Sequence, residues 1–138
     1  MDEERRNPVD LSAAGSAGLL PQVASTADGT VAAAWRWNDG NDWLVQVSIL
    51  PVGSTIWSPP IEISGGGVDS RGPRIVASPN GGFAIAWARW DGRGWRVQVS
   101  TLTAGARTWS APTDLGDVGS SNPNMVASSD GTLSLIHI

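Results

Sequence analysis

The side chains best equipped for chemistry in this sequence fall in two short runs, Arg36, Trp37, Asp39, Asn41 and Asp42 in the first and Arg89, Trp90, Asp91 and Arg93 in the second. An indole face can stack on the C–H surface of a sugar, while guanidinium and carboxylate groups offer charge-assisted hydrogen bonds to its hydroxyls. Trp37 and Trp90 have no tryptophan counterpart in the other run, so the two runs differ where a ligand would be met. Asp69, Arg71 and Arg74 lie between the runs and are expected to join them in one Trp/Arg/Asp cluster. This is the chemistry of recognition rather than of bond making. The chain has no Cys, its one His is His137, and it carries neither a Gly-Lys phosphate loop nor a metal-ligand spacing, so no catalytic residue, cofactor or metal is expected. Asn38–Asp42 spaces its oxygen ligands somewhat as a calcium loop does, but the matching Trp90–Gly94 has lost them. Asp39 and Asp91 are therefore read first as turn formers.

Composition narrows the partners. In 138 residues the chain has 9 basic side chains, all Arg, against 13 acidic ones, a net charge of −4 with no basic run. Nucleic acid and anionic membrane are not expected partners. No apolar stretch approaches the roughly 18 residues of a spanning helix, and no apolar core follows the charged Met1–Arg6 as it would in a signal peptide. The aromatic balance of 8 Trp, 1 Phe and no Tyr suggests one Trp-bearing pattern copied several times.

Sliding the chain against itself reveals that copy at an offset of 52 residues. Trp35, Trp43 and Trp57 meet Trp87, Trp95 and Trp109; Asp39-Gly40 meets Asp91-Gly92; Val45-Gln46-Val47-Ser48 meets Val97-Gln98-Val99-Ser100. Pro8–Ser12 matches Pro60–Ser64, and Pro123–Ser128 matches Pro73–Ser78 at a slightly shorter offset. Two complete copies and two partial ones follow.

Within a copy, runs of Val, Ile, Thr and Trp are punctuated by Gly, Asp, Asn and Pro, which predicts four short strands joined by turns and no long helix. The strands are expected at 21–26, 30–37, 43–50 and 56–63, then at 73–78, 82–89, 95–102 and 108–115. Asp28-Gly29, Asn80-Gly81 and Asp130-Gly131 mark tight turns between first and second strands. Alternation in the second strand puts Val31, Ala33, Trp35 and Trp37 on one side and Ala32, Ala34 and Arg36 on the other; Phe83, Ile85 and Trp87 oppose Ala84, Ala86 and Ala88 in the next copy. A bulky face can nest into the small face of the next identical sheet. The six Trp that recur in register are expected in the core.

These residues resemble bacterial β-propeller repeats of about 50 residues per blade, over residues 8–132, written as Pro-x-Val-Ala, Asp-Gly, Ala-x-Trp, Val-Gln-Val and Trp-Ser-x-Pro. The resemblance implies an all-β fold of four-stranded antiparallel blades, with second-to-third-strand loops and blade connections on one face of a ring. Trp90–Trp95, reading Trp-Asp-Gly-x-Gly-Trp, is similar to a motif of fucose-binding propeller lectins, some of which build rings from short two-blade chains.

The expected organisation is a tail at 1–7, the last strand of a preceding blade with its connection at 8–20, blades at 21–72 and 73–122, and the start of a further blade at 123–132. A ring of typically 4–8 blades does not close in this length, so the ring is expected to be incomplete, a piece of a longer chain or one completed by self-association. The final hexapeptide, 133–138, has His137 where the repeat calls for Trp and resembles a translated sequencing adapter; it is expected to be artefactual. The functional expectation is a non-catalytic module of a secreted or surface propeller that binds glycans or proteins through Arg36, Trp37, Asp39, Asp42, Arg71, Arg74, Arg89, Trp90, Asp91 and Arg93. The alternatives are a propeller glycosidase or other hydrolase with its catalytic groups in other blades, and a structural scaffold.

Overall fold

The computed structural model describes residues 18–64, 69–106, 108–117, 123–127 and 133–137. The described residues contain strands and no helix. Strands β1 (Gly18–Ser25), β2 (Val31–Asn38), β3 (Trp43–Leu50) and β4 (Ile61–Glu62) form one antiparallel sheet in sequential order. β5 (Ser70–Ala77), β6 (Phe83–Trp90), β7 (Trp95–Leu102) and β8 (Thr113–Asp117) repeat that order in a second sheet. A third, two-stranded sheet pairs β9 (Pro123–Ala127) with β10 (Leu133–His137). The described residues are thus all-β, with two complete four-stranded blades and part of another, not closed into a barrel. The strand expected at Pro8–Ser12 and the turn at Asp130-Gly131 lie outside the described residues.

The two blades pack face to face as alternation demands. Phe83, Ile85 and Trp87 share one core with Ala32, Ala34, Val45, Val47 and Ile63 of the first blade. The alanine face leaves room for an indole, and every one of these side chains is buried. The opposite, small face of the second blade, with Ala84 and Ala86 at its centre, has its own buried cluster with Val76 and Val99.

Two devices recur at the same repeat position in both blades. The first strand bulges where Leu20-Pro21 or Gly72-Pro73 inserts one extra residue: Leu19 and Gln22 face Arg36 and Ala34, as Arg71 and Arg74 face Ala88 and Ala86. Proline has no N–H to give the ladder, and a bulge is a place where none is required. Gly72 adopts φ 68, a left-handed conformation that glycine reaches without steric cost. The strand therefore runs through the proline and starts three residues ahead of the expected 21 and 73.

The second device is the Trp-Ser-x-Pro segment. Ser58 N–H donates to Ile49 O (2.8 Å), Ile49 N–H donates to Ser58 Oγ (2.9 Å), and Ser48 Oγ donates to Ser58 O (2.5 Å). Ser110, Thr101 and Ser100 reproduce all three bonds in the second blade. One serine thus clips the segment to the third strand. Because Pro59 and Pro60 cannot extend the ladder, β4 is confined to Ile61–Glu62, far shorter than the expected 56–63.

Candidate functional site

Most of the expected site residues, though not Arg74, lie toward the end of the blades that carries the β2–β3 and β6–β7 loops. Each loop is closed by an aspartate. Asp39 N–H donates to Asp42 O (3.1 Å), while Asp39 Oδ1 accepts from Asn41 and Asp42 N–H (both 2.8 Å). Asp91 does the same with Gly94 O (3.0 Å) and with the Arg93 and Gly94 N–H groups (both 2.8 Å). Both carboxyls are held below the ordinary carboxylate range, Asp39 by the backbone N–H of Asp42 and Asp91, at about 2, first by the backbone N–H of Arg93 and then by Arg96. Arg96 Nε lies 2.6 Å from Asp91 Oδ2.

Register sorts the tryptophans and arginines onto faces. Trp90 pairs with Trp95 at the mouth of its loop, on the small face of the second blade, and the two rings meet edge to face, centroids 5.4 Å apart at 65°. Trp90 remains 38% exposed. The equivalent pair in the first blade is Asn38 and Trp43, on the face turned toward the second blade, and there the Arg36 guanidinium lies 4.3 Å from the centre of the Trp43 ring. The single Trp/Arg/Asp cluster expected from the sequence therefore resolves into two equivalent positions, one per blade. The first has its aromatic face covered by Arg36; the second, where Ala88 replaces that arginine, presents an indole to solvent. Trp37 alternates onto the far side of the first blade, opposite Leu44, and does not join Trp90.

Several of the charged residues brace the two blades. Asp69 Oδ1 accepts from Trp43 N–H (3.0 Å), and Asp69 O accepts from Trp90 N–H (2.9 Å), so one residue ties both loop mouths together. Arg89 Nη1 donates to Ser64 O (2.7 Å), and Ser64 Oγ in turn accepts from Val45 N–H (2.9 Å). Arg74 lies past the β5 bulge, opposite Ala86, away from the loops. Arg71 faces Ala88 on the backbone ladder. Arg93 is exposed on its turn, and Asp42 is half-buried at the end of its own.

Trp43 and Trp95, expected in the core, stand half-buried at the loop mouths, whereas Trp35 and Trp87 are buried as expected. The signal that could have marked Trp43 and Trp95 was their place directly after the turn, where a strand has only begun to be covered. Trp57 and Trp109 are half-buried as well. At the other end of the molecule the blades splay around a groove of about 870 Å³ walled by Val52, Ile61, Phe83, Leu102 and Trp109, and none of the expected site residues lines it. Among the described residues no group of three or more His, Asp or Glu is placed to hold a metal ion.

No family model matches this sequence, and no curated protein matches it.

Proposed function

We propose that the chain is a non-catalytic recognition module, part of a propeller that acts at the cell exterior and binds glycans at its loop-bearing end. The observation that carries the reading is the exposed Trp90 ring braced edge-on by Trp95. A stacking surface binds best when it is ordered beforehand, and here the indole is fixed by a neighbouring ring, while the strand ladder and the bond from the Trp90 backbone N–H to Asp69 O hold its backbone. Asp91, next to Trp90 in the chain, offers an acceptor to sugar hydroxyls, and Arg93 adds a donor on the same turn; Arg96, opposite Arg89 on the other face of the sheet, holds the Asp91 carboxylate in place. Support from the sequence comes from the likeness of Trp90–Trp95 to the lectin motif and from the difference between the two copies at these positions.

The test is a glycan array probed with the 138-residue chain, followed by titration of the best sugar against the Trp90→Ala variant. Loss of one stacking aromatic is expected to weaken binding about tenfold or more, since aromatic anchors cost above 1 kcal/mol on truncation. Trp37→Ala, on the far side of the first blade, is expected to leave that affinity unchanged. An array with no bound sugar, alongside a protein captured through Trp90, would replace the glycan by a protein ligand; binding indifferent to Trp90→Ala would remove this site from consideration.

A further inference from the structure

Two hydrogen-bond donors are buried where the two blades meet, beside a third that is half-buried. Ser70 and Trp87 are both fully buried, and neither Ser70 Oγ nor Trp87 Nε1 has a hydrogen-bond partner. Trp87 belongs to the core shared by the blades, so its face is the one turned toward the first blade. Ser70 pairs in register with Arg89, and Arg89 lies two residues beyond Trp87 on the same face of β6. Arg89 is the third donor, with Nη1 already committed to Ser64 O on the opposing blade.

The chemistry of the three groups leans one way. An indole N–H and a guanidinium can only donate, and a serine hydroxyl, which donates or accepts, can turn its O–H to the same partner. Buried polar groups in folded proteins are nearly always satisfied, by protein, by ordered water or by an ion, and a set in which two of three groups can only donate calls for an acceptor. Part of the arrangement is repeated, the indole and the bulge but not the other two groups, since Gly18 and Trp37 stand where Ser70 and Arg89 do. Trp35, the counterpart of Trp87, is buried with its Nε1 unpartnered, and in both blades the first-strand bulge lies opposite this tryptophan, between Arg36 and Ala34 in one case and between Ala88 and Ala86 in the other. A ladder interrupted beside an unpaired indole in two copies is a built feature of the repeat rather than an accident of one.

We propose that the junction of the two blades is a binding site for one small hydrogen-bond acceptor, a water molecule or a halide-sized anion, held by Trp87 Nε1 and Ser70 Oγ beside the Arg89 guanidinium. Such a guest bridges the sheets where close packing of apolar groups stops and the polar Asp69–Ser70 connection begins. The proposal does not depend on the glycan reading, because Trp87 and Ser70 are fully buried and not part of the loop end's surface.

The test uses the 138-residue chain labelled with ¹⁵N. Magnetisation transfer from water to the Trp87 indole proton is measured in chloride-free buffer, and thermal melting is compared in sodium chloride and sodium gluconate at equal ionic strength. A bound water gives a cross-peak of the sign produced by a long-lived hydration site, with melting indifferent to chloride. A bound anion gives a melting temperature that rises with chloride, a rise lost in Arg89→Gln. Ser70→Ala, a change of one hydroxyl, is expected to fold and to lose whichever signal the parent shows; Trp87→Phe is expected to lose it too. A Trp87 indole with neither a long-lived water signal nor a response to chloride overturns the site, as does a signal that Ser70→Ala leaves untouched.

Discussion

Asp91 concentrates three roles in one carboxylate: it closes the β6–β7 turn through Oδ1, pairs with Arg96 through Oδ2, and flanks the exposed Trp90. Its folded pKa of about 2 lies below the ordinary 3.8. For a carboxyl lowered on folding, the stabilising contribution is fully present above the unfolded value and is lost as pH falls through the folded one. The turn is therefore expected to hold at pH 5 and to loosen between about pH 4 and 2, with Asp28 and Asp39, also lowered, weakening in the same direction. Carboxyl chemical shifts followed by NMR should give an Asp91 midpoint near the bottom of that window. In Arg96→Gln the midpoint is expected to rise yet stay below 3.8, because the Arg93 N–H remains the larger cause; a midpoint unaffected by Arg96 would mean that the pair does not persist in solution. The turn-forming role of this residue was legible from Asp-Gly between two strands. Its bond to Arg96 was not, since only the register of β6 against β7 brings position 96 near the turn.

The element that decides how the blades stack is β2, whose inner face is nearly bare. Ala32 and Ala34 are fully buried against Ile85 and Trp87, so the volume available at each is a methyl group's. Ala34→Leu adds three heavy atoms to a packed face and is expected to destabilise the fold by about 1–3 kcal/mol through overpacking. Denaturation by urea would measure it, and a change below a few tenths would show that the blades are free to slide. This bulky-into-small nesting was readable from alternation alone, because a period of two fixes faces without any knowledge of neighbours. The ends of the strands were less readable. β3 and β7 fell where the residue pattern put them, but β1 and β5 ran through a proline by bulging, and β4 shrank because Ser58 replaces ladder bonds that Pro59 and Pro60 cannot make. Loop-mouth residues shared the same ambiguity: alternation assigns Trp43 and Trp95 to a face, but how far that face is covered depends on the neighbouring blade.

At the scale of the whole molecule, equivalent positions differ in energy according to whether a blade lies over them. Ile63 and Leu115 occupy the same place in the two copies, yet Ile63 is 7% exposed under the second blade and Leu115 is 54% exposed. Ile75 on β5 and Val23 on β1 show the same contrast, 7% against 66%. A repeat array draws its stability from such interfaces between neighbours as much as from each repeat, so the same chemical change should have unequal cost along the chain. Ile63→Ala is expected to cost about 2–4 kcal/mol, the range for emptying a buried aliphatic site. Leu115→Ala is expected to stay within about 0.5 kcal/mol, as surface substitutions do. Chemical denaturation of the two variants against the parent chain measures both. Equal, large losses would mean that Leu115 is covered in solution, by a further blade or by another copy of the chain packing on that face. Equal, small losses would mean that the two blades contribute little to each other, and the shared core around Trp87 would then have to be reassigned to the second blade alone.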